Sequence, residues 1–289
     1  MRSAVLVSLG LFLMATDAFA QGQDSLPSER HFMIVAEHLA GHFVNANQAY
    51  FDGRRGLSDN QRHDLVDWRI VHTDTAGQLA LTIGDEMSGT IALDVDLDAD
   101  RLLMTIALES GVACDYVWRR DAAQFTARSL ATCPTPVPNE LRLAPDQLWL
   151  YPDAETATTA DAAVQLNRAR AFTCHIDMPG VGGGRDIPYT RYDNLQLHDL
   201  GGSAWITTNE EPARRLGLSM LRVDWPINNY TDTYARDALV VYLSEETAEG
   251  RRELAYSFTE PNATRLGLNL KWLLAFCYQV PSSAATPDF

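Results

Sequence analysis

From residue 67 onward the apolar residues recur at every second position in short windows, and that alternation limits the fold more than any other feature of the sequence. The windows fall at residues 68–72, 78–83, 90–96, 102–108, 114–118 and 147–151. Turn formers separate them, among them Gly77, Ser88 with Gly89, and Asp98 with Asp100. Successive side chains of a strand point to opposite faces, so alternation buries one face and wets the other. Several such windows at this spacing predict an antiparallel sheet, sandwich or barrel. The pattern returns at 171–176, 195–198, 204–207, 216–225, 239–243, 254–258 and 266–276, enough strands for a second sheet.

Ahead of the strands the period is helical. Phe32, Val35, Leu39, Phe43 and Ala46 recur at steps of three and four, predicting one amphipathic helix over 31–50. Gly53 and Gly56 end it, and Ser58 is placed to cap a short turn through Asp59, Asn60 and Gln61. Ala, Thr and Asp dominate 153–163, where a domain boundary is expected. The organisation read from these signals is a β-barrel domain at 31–152, a linker or long loop at 153–167, a second β-rich region at 168–280 and a disordered tail at 281–289.

Residues 1–20 read as a cleaved signal peptide. Arg2 gives the positive start, 5–14 an apolar stretch, and Ala18, Phe19 and Ala20 a small-x-small cleavage site. About 20 apolar residues are needed to span a bilayer as a helix, so this stretch is too short. A periplasmic or secreted protein without a membrane span is expected. The net charge of −15 repels nucleic-acid phosphates, which argues against a nucleic-acid partner. Four cysteines in an exported chain favour disulfides over a metal site or a catalytic thiol. Three pairings are open, and spacing favours Cys114 with Cys133 and Cys174 with Cys277, each stapling one half.

The chemical motifs are sparse, and no catalytic residue can be assigned. His38 and His42 stand four apart, the spacing by which a helix offers two imidazoles to zinc, but no Glu follows the first His and no third ligand is evident. No metal is therefore expected. Asp94, Asp96, Asp98 and Asp100 lack the Gly and Glu of a calcium loop, because Ala99 and Thr105 stand there, and they read as a solvent-facing strand. Gly180, Gly182, Gly183 and Gly184 precede Arg185 but open no helix, so they read as a hairpin loop. Tyr116, Trp118, Arg119, Arg120 and Phe125 in front, and Trp205, Arg222, Trp225, Tyr242 and Trp272 behind, are either core or the lining of an open barrel. If open, they suit a flat, conjugated ligand bearing carboxylates.

Leu39, Ala40, Phe43, Asn45, Gln48 and Ala49, then Cys114, Asp115 and Trp118, then Phe125 and Cys133, and a closing segment at 141–153, follow one another in the order of a known family. Over 34–153 the chain resembles the CpcT/CpeT chromophore lyases of phycobiliproteins. The resemblance implies a calycin-like antiparallel β-barrel with an N-terminal helix, often a homodimer. It implies a protein that binds a linear tetrapyrrole (bilin) and assists its thioether attachment to a cysteine of an acceptor protein. Tyr116, Trp118 and Arg120 are the expected ligand contacts. The alternative is a non-enzymatic periplasmic carrier of an amphipathic ligand, or an envelope protein, sharing the barrel.

Overall fold

A computed structural model of the chain describes residues 27–122, 124–152, 163–179, 188–228 and 233–281, with the backbone alone at 54, 60, 224–228 and 233–236. The expected leader, the glycine run 180–184, the tail beyond 281 and the Trp225 side chain lie outside the described residues. The chain is mainly β, as the alternation predicts.

The front half closes on itself. Strands β1 (Gly41–Val44), β2 (Asp67–His72), β3 (Gln78–Ile83), β4 (Met87–Asp96), β5 (Arg101–Leu108), β6 (Ala113–Asp121), β7 (Gln124–Ser129), β8 (Glu140–Ala144), β9 (Gln147–Tyr151) and β10 (Val164–Arg168) form a ten-stranded antiparallel barrel. β1 completes it, pairing with β2 on one side and β10 on the other. Along β5 the alternation is visible residue by residue: Leu102, Met104, Ile106 and Leu108 are buried, and Leu103, Thr105 and Ala107 are not. The inward residues of all strands join one apolar core containing Trp68, Tyr116 and Phe125. The outer face carries Thr105 bonded to Asp115, and Arg128 and Arg142 on Glu140. Apolar inside and polar outside is the sense of a water-facing barrel, opposite to that of an outer-membrane barrel. No helix among the described residues is long and apolar enough to cross a membrane.

The expected single helix is instead α1 (Pro27–Leu39), the strand β1 and α2 (Ala46–Arg54). Two contacts overrule the helical period. At Gly41 an added Cβ would lie 2.2 Å from an Arg168 guanidinium nitrogen, so the glycine lets that guanidinium sit against the backbone, and a side chain there would displace it from its carbonyls. That guanidinium takes up the orphan carbonyls of His38, at 2.6 Å, and of Ala40, ending the helix. Phe43 and Val44 then pair with Trp68 and Asp67, and the barrel gains its closing strand. α1 packs across the end of the barrel formed by the turns at 73–77, 97–100 and 144–147. Asp100 accepts the Ser28 N–H at 3.1 Å and so caps this helix from a distant turn.

β10 also corrects the expected linker. Residues 164–168 are a barrel strand, so the barrel runs to Arg168 and the boundary moves to Ala169 and Arg170. Beyond it β11 (Ala171–Pro179), β12 (Tyr189–His198), β17 (Arg265–Leu270) and β18 (Leu273–Gln279) make one four-stranded sheet. β13 (Leu200–Thr207), β14 (Arg215–Asn228), β15 (Thr233–Thr247) and β16 (Gly250–Thr259) make another. Phe172, Ile176 and Leu268 of the first meet Leu218, Met220 and Val241 of the second in a common core, which makes the back half a β-sandwich. The expected disulfides form: Cys114 with Cys133, and Cys174 with Cys277 across β11 and β18.

Candidate functional site

The barrel end opposite α1 faces the sandwich, with Cys133 and Val137 of the connection between β7 and β8 packed into it. Between it and the sandwich lies a cavity of about 1200 Å³. Its walls are apolar at the strand residues Ile83, Leu150 and Val164 and at Val137 of the connection between β7 and β8, and exposed Leu65 and Met87 stand on its lining. Four carboxylates, on Asp64, Asp67, Asp85 and Glu86, face it against one guanidinium, on Arg69. A second cavity, of about 630 Å³, is lined by Arg168 and Arg170, whose groups are already bonded to backbone carbonyls and to Asp199.

Three elements bring polar residues together beside the larger cavity, two of which, Asp67 and His198, line it. β1 carries His42, β2 opens on Asp67, and β12 of the sandwich ends on His198. The His42 Nε2 lies 2.8 Å from each carboxylate oxygen of Asp67. The rings of His42 and His198 meet edge to face with centroids 4.5 Å apart. One ligand atom from each of the three lies within 4.8 Å of the others. Burial, then the neighbouring His42, push the His198 imidazolium down to about 4, so this ring is neutral at pH 7. Burial would raise the Asp67 carboxyl, but the hydrogen bond and charge of His42 and the nearby Arg69 outweigh it and hold the group below the usual range. Beside this cluster His63 donates its backbone N–H to Asp52 at 2.9 Å, and its Nδ1 lies 2.7 Å from the same carboxylate.

No family model, no curated protein and no solved structure matches this chain. The CpcT/CpeT resemblance is thus a reading of residue order. Several residues that carry it have clear structural work. Asn45, fully buried, donates to the Asp64 carbonyl and accepts from the Val66 N–H, fixing the segment that lines the cavity. Gln48 donates to the Ala163 carbonyl and accepts from the Gln165 N–H, tying α2 to the closing strand β10.

The expected ligand contacts lie elsewhere. Tyr116 is enclosed in the barrel core, and its hydroxyl donates to the Pro138 carbonyl at 2.5 Å. Burial raises its phenol well above the ordinary value. Trp118 is also in the core, and its indole N–H has no hydrogen-bond partner among the described residues. Arg120 is exposed at the α1 end, with its guanidinium 5.9 Å over Phe125 and its Nε donating to the Ala122 carbonyl. None of the three lines the larger cavity.

The four-residue helical relation read between His38 and His42 is broken by the end of α1, and His42 finds its partners across the fold. His198 was not legible, because nothing near it in sequence has ligand spacing. Asp96 takes the Ala99 N–H and the Arg101 guanidinium, and Asp100 caps α1, so these aspartates serve turns.

Proposed function

We propose that this protein is an exported, non-enzymatic binding protein that takes an amphipathic small molecule into the cavity between barrel and sandwich. The observation that carries this reading is the cavity itself. The barrel interior is filled by side chains, and the larger of the two cavities lies between the barrel end and the sandwich, where apolar side chains meet a few convergent polar groups, whereas Arg168 and Arg170 of the smaller one are already engaged. Export rests on the leader read from sequence, and the two disulfides fit an oxidising compartment. An uncharged fluorescent amphiphile such as Nile red, followed by competition with bilins, haem, fatty acids and cationic amphiphiles, tests it. Ser203, exposed on the sandwich side of the cavity, is the place to fill it. Saturable binding weakened at least tenfold by Ser203→Trp is expected, and binding indifferent to that change would refute the site.

The chromophore-lyase reading is the second. In its favour stands the architecture, an antiparallel barrel with an N-terminal helix, which the resemblance implies. Four carboxylates against one guanidinium weigh against a ligand that carries propionates. Titration with phycocyanobilin and biliverdin separates the two. A bilin preferred over all other amphiphiles, with affinity lost in a Trp118→Ala variant that near-ultraviolet circular dichroism shows to be folded, favours the lyase, and no visible absorption change leaves the carrier.

A further inference from the structure

His42, Asp67 and His198 come from three strands and two structural units, separated in sequence by 25 residues for the first pair and by far more for the third member. Two imidazoles pressed to a centroid distance of 4.5 Å beside one carboxylate form a donor set with more lone pairs than donors around it. His42 has Asp67, while the only hydrogen bond described for the His198 ring is the Leu200 N–H reaching Nδ1 at a long 3.3 Å. That contact marks Nδ1 as the nitrogen carrying a lone pair in the present ring, and an ion at Nδ1 would replace it. The opposite face of the cluster is the cavity wall, since Asp67 and His198 both line it.

We propose that His42, Asp67 and His198 form a binding site for a divalent first-row transition ion, zinc by preference, that clasps the barrel to the sandwich and leaves a coordination position open to the cavity. Imidazole nitrogen with one carboxylate suits Zn²⁺ and its neighbours, whereas Ca²⁺ and Mg²⁺ seek all-oxygen shells. Bonds of about 2.0–2.1 Å set tetrahedral donors about 3.3 Å apart. The present atoms, all within 4.8 Å of one another, reach that spacing by side-chain rotation. Three protein ligands leave a fourth position for water or an anionic group. Asp67 already has Arg69 at 3.5 Å as an outer partner to orient it. The site stands whether or not an organic molecule fills the cavity, so it does not rest on the binding-protein reading.

Untagged, oxidised full chain, stripped with a chelator, is titrated with Co²⁺ as the spectroscopic probe and then with Zn²⁺. One equivalent of Co²⁺ should give d–d bands of a low-coordinate site, and Zn²⁺ should bleach them. His198→Asn and Asp67→Asn should each weaken binding at least tenfold, while His175→Gln, on the far stretch of β11, should not. Near-ultraviolet circular dichroism checks that the variants fold. If His198→Asn does not fold, His42→Gln takes its place, and a melting temperature raised by Zn²⁺ but not by Mg²⁺ in the wild type gives the second readout. Absence of a stoichiometric Co²⁺ band in the wild type, or unchanged affinity in a folded ligand variant, overturns the site. Loss of amphiphile binding with metal binding intact would instead sink only the carrier reading.

Discussion

At the scale of single residues, the cluster at the barrel mouth makes stability depend on pH in two separate windows. The folded His198 ring protonates near 4 and a free histidine near 6.5, so between these values the unfolded chain holds a proton that the folded chain refuses. Stability contributed by neutral His198 is therefore complete above pH 6.5 and is lost as pH falls toward 4. For a ring that remains partly exposed, roughly 1–2 kcal/mol is expected across this window. Urea unfolding of wild type and His198→Asn at pH 7 and pH 4.5 measures it, and identical pH slopes would refute it. Asp52 and Asp67 act lower down. Their folded values are depressed by hydrogen bonds from His63 and His42 that outweigh burial, so their stabilisation persists to about pH 4 and fades below it. Little of this site was legible in the sequence. His42 drew attention for its spacing from His38, a helical relation that vanishes once Gly41 starts a strand. Asp67 and His198 have no local signal at all, because a site assembled from three strands leaves no fixed spacing to read.

At the scale of elements, the strands were legible because period-two alternation is a local property that burial of one face imposes on each strand by itself. The misread elements are those whose structure depends on a distant partner. Residues 41–44 carry a helical period but gain both β2 and β10 as neighbours, and 164–168 look like the end of a linker until β1 and β9 take them in. The close β4–β5 pairing supplies a test of how tightly the barrel is packed. A Cβ added at Gly89 would meet the Ala107 carbonyl at 2.4 Å and the Leu108 Cα at 2.9 Å, both backbone atoms that cannot swing aside. Gly89→Ala should cost about 1–3 kcal/mol through forced strand separation, read as a lowered urea midpoint; an unchanged midpoint would show that the pair yields. The disulfides act over different lengths. Cys174 and Cys277 are separated by 103 residues and Cys114 and Cys133 by 19. In the chain-entropy account the longer closure is worth about 4–5 kcal/mol and the shorter about 3 kcal/mol. Replacing Cys174 and Cys277 with Ala should thus lower the unfolding free energy by more than the same change at Cys114 and Cys133, and the reverse order would refute the account.

At the scale of the whole molecule, barrel and sandwich each own a separate apolar core, and the crossover between them carries a buried polar cluster. Asp199 holds the junction. Its side chain is fully buried, takes the Arg170 backbone N–H and Nε at 2.7 Å each, and lies 3.8 Å from the Arg222 guanidinium. Arg170 in turn reaches the Ala263 carbonyl at 3.3 Å and the Pro261 carbonyl, so one carboxylate fixes the crossover residue against both sheets of the sandwich. Removing it leaves guanidinium and N–H groups without their acceptor, a loss on the order of 3–5 kcal/mol when one partner of a buried pair is deleted, reduced here because Arg170 is partly exposed. Because Asp199 follows His198 directly, the same loss frees the end of β12 that forms one wall of the cavity. Units with separate cores melt together only while the contacts between them are worth more than their difference in stability. Asp199→Ala should therefore split the calorimetric transition of the wild type into two, with the sandwich melting apart from the barrel, and should weaken amphiphile binding even though Asp199 does not line the cavity. A single transition at the wild-type temperature would show that the junction holds without its carboxylate.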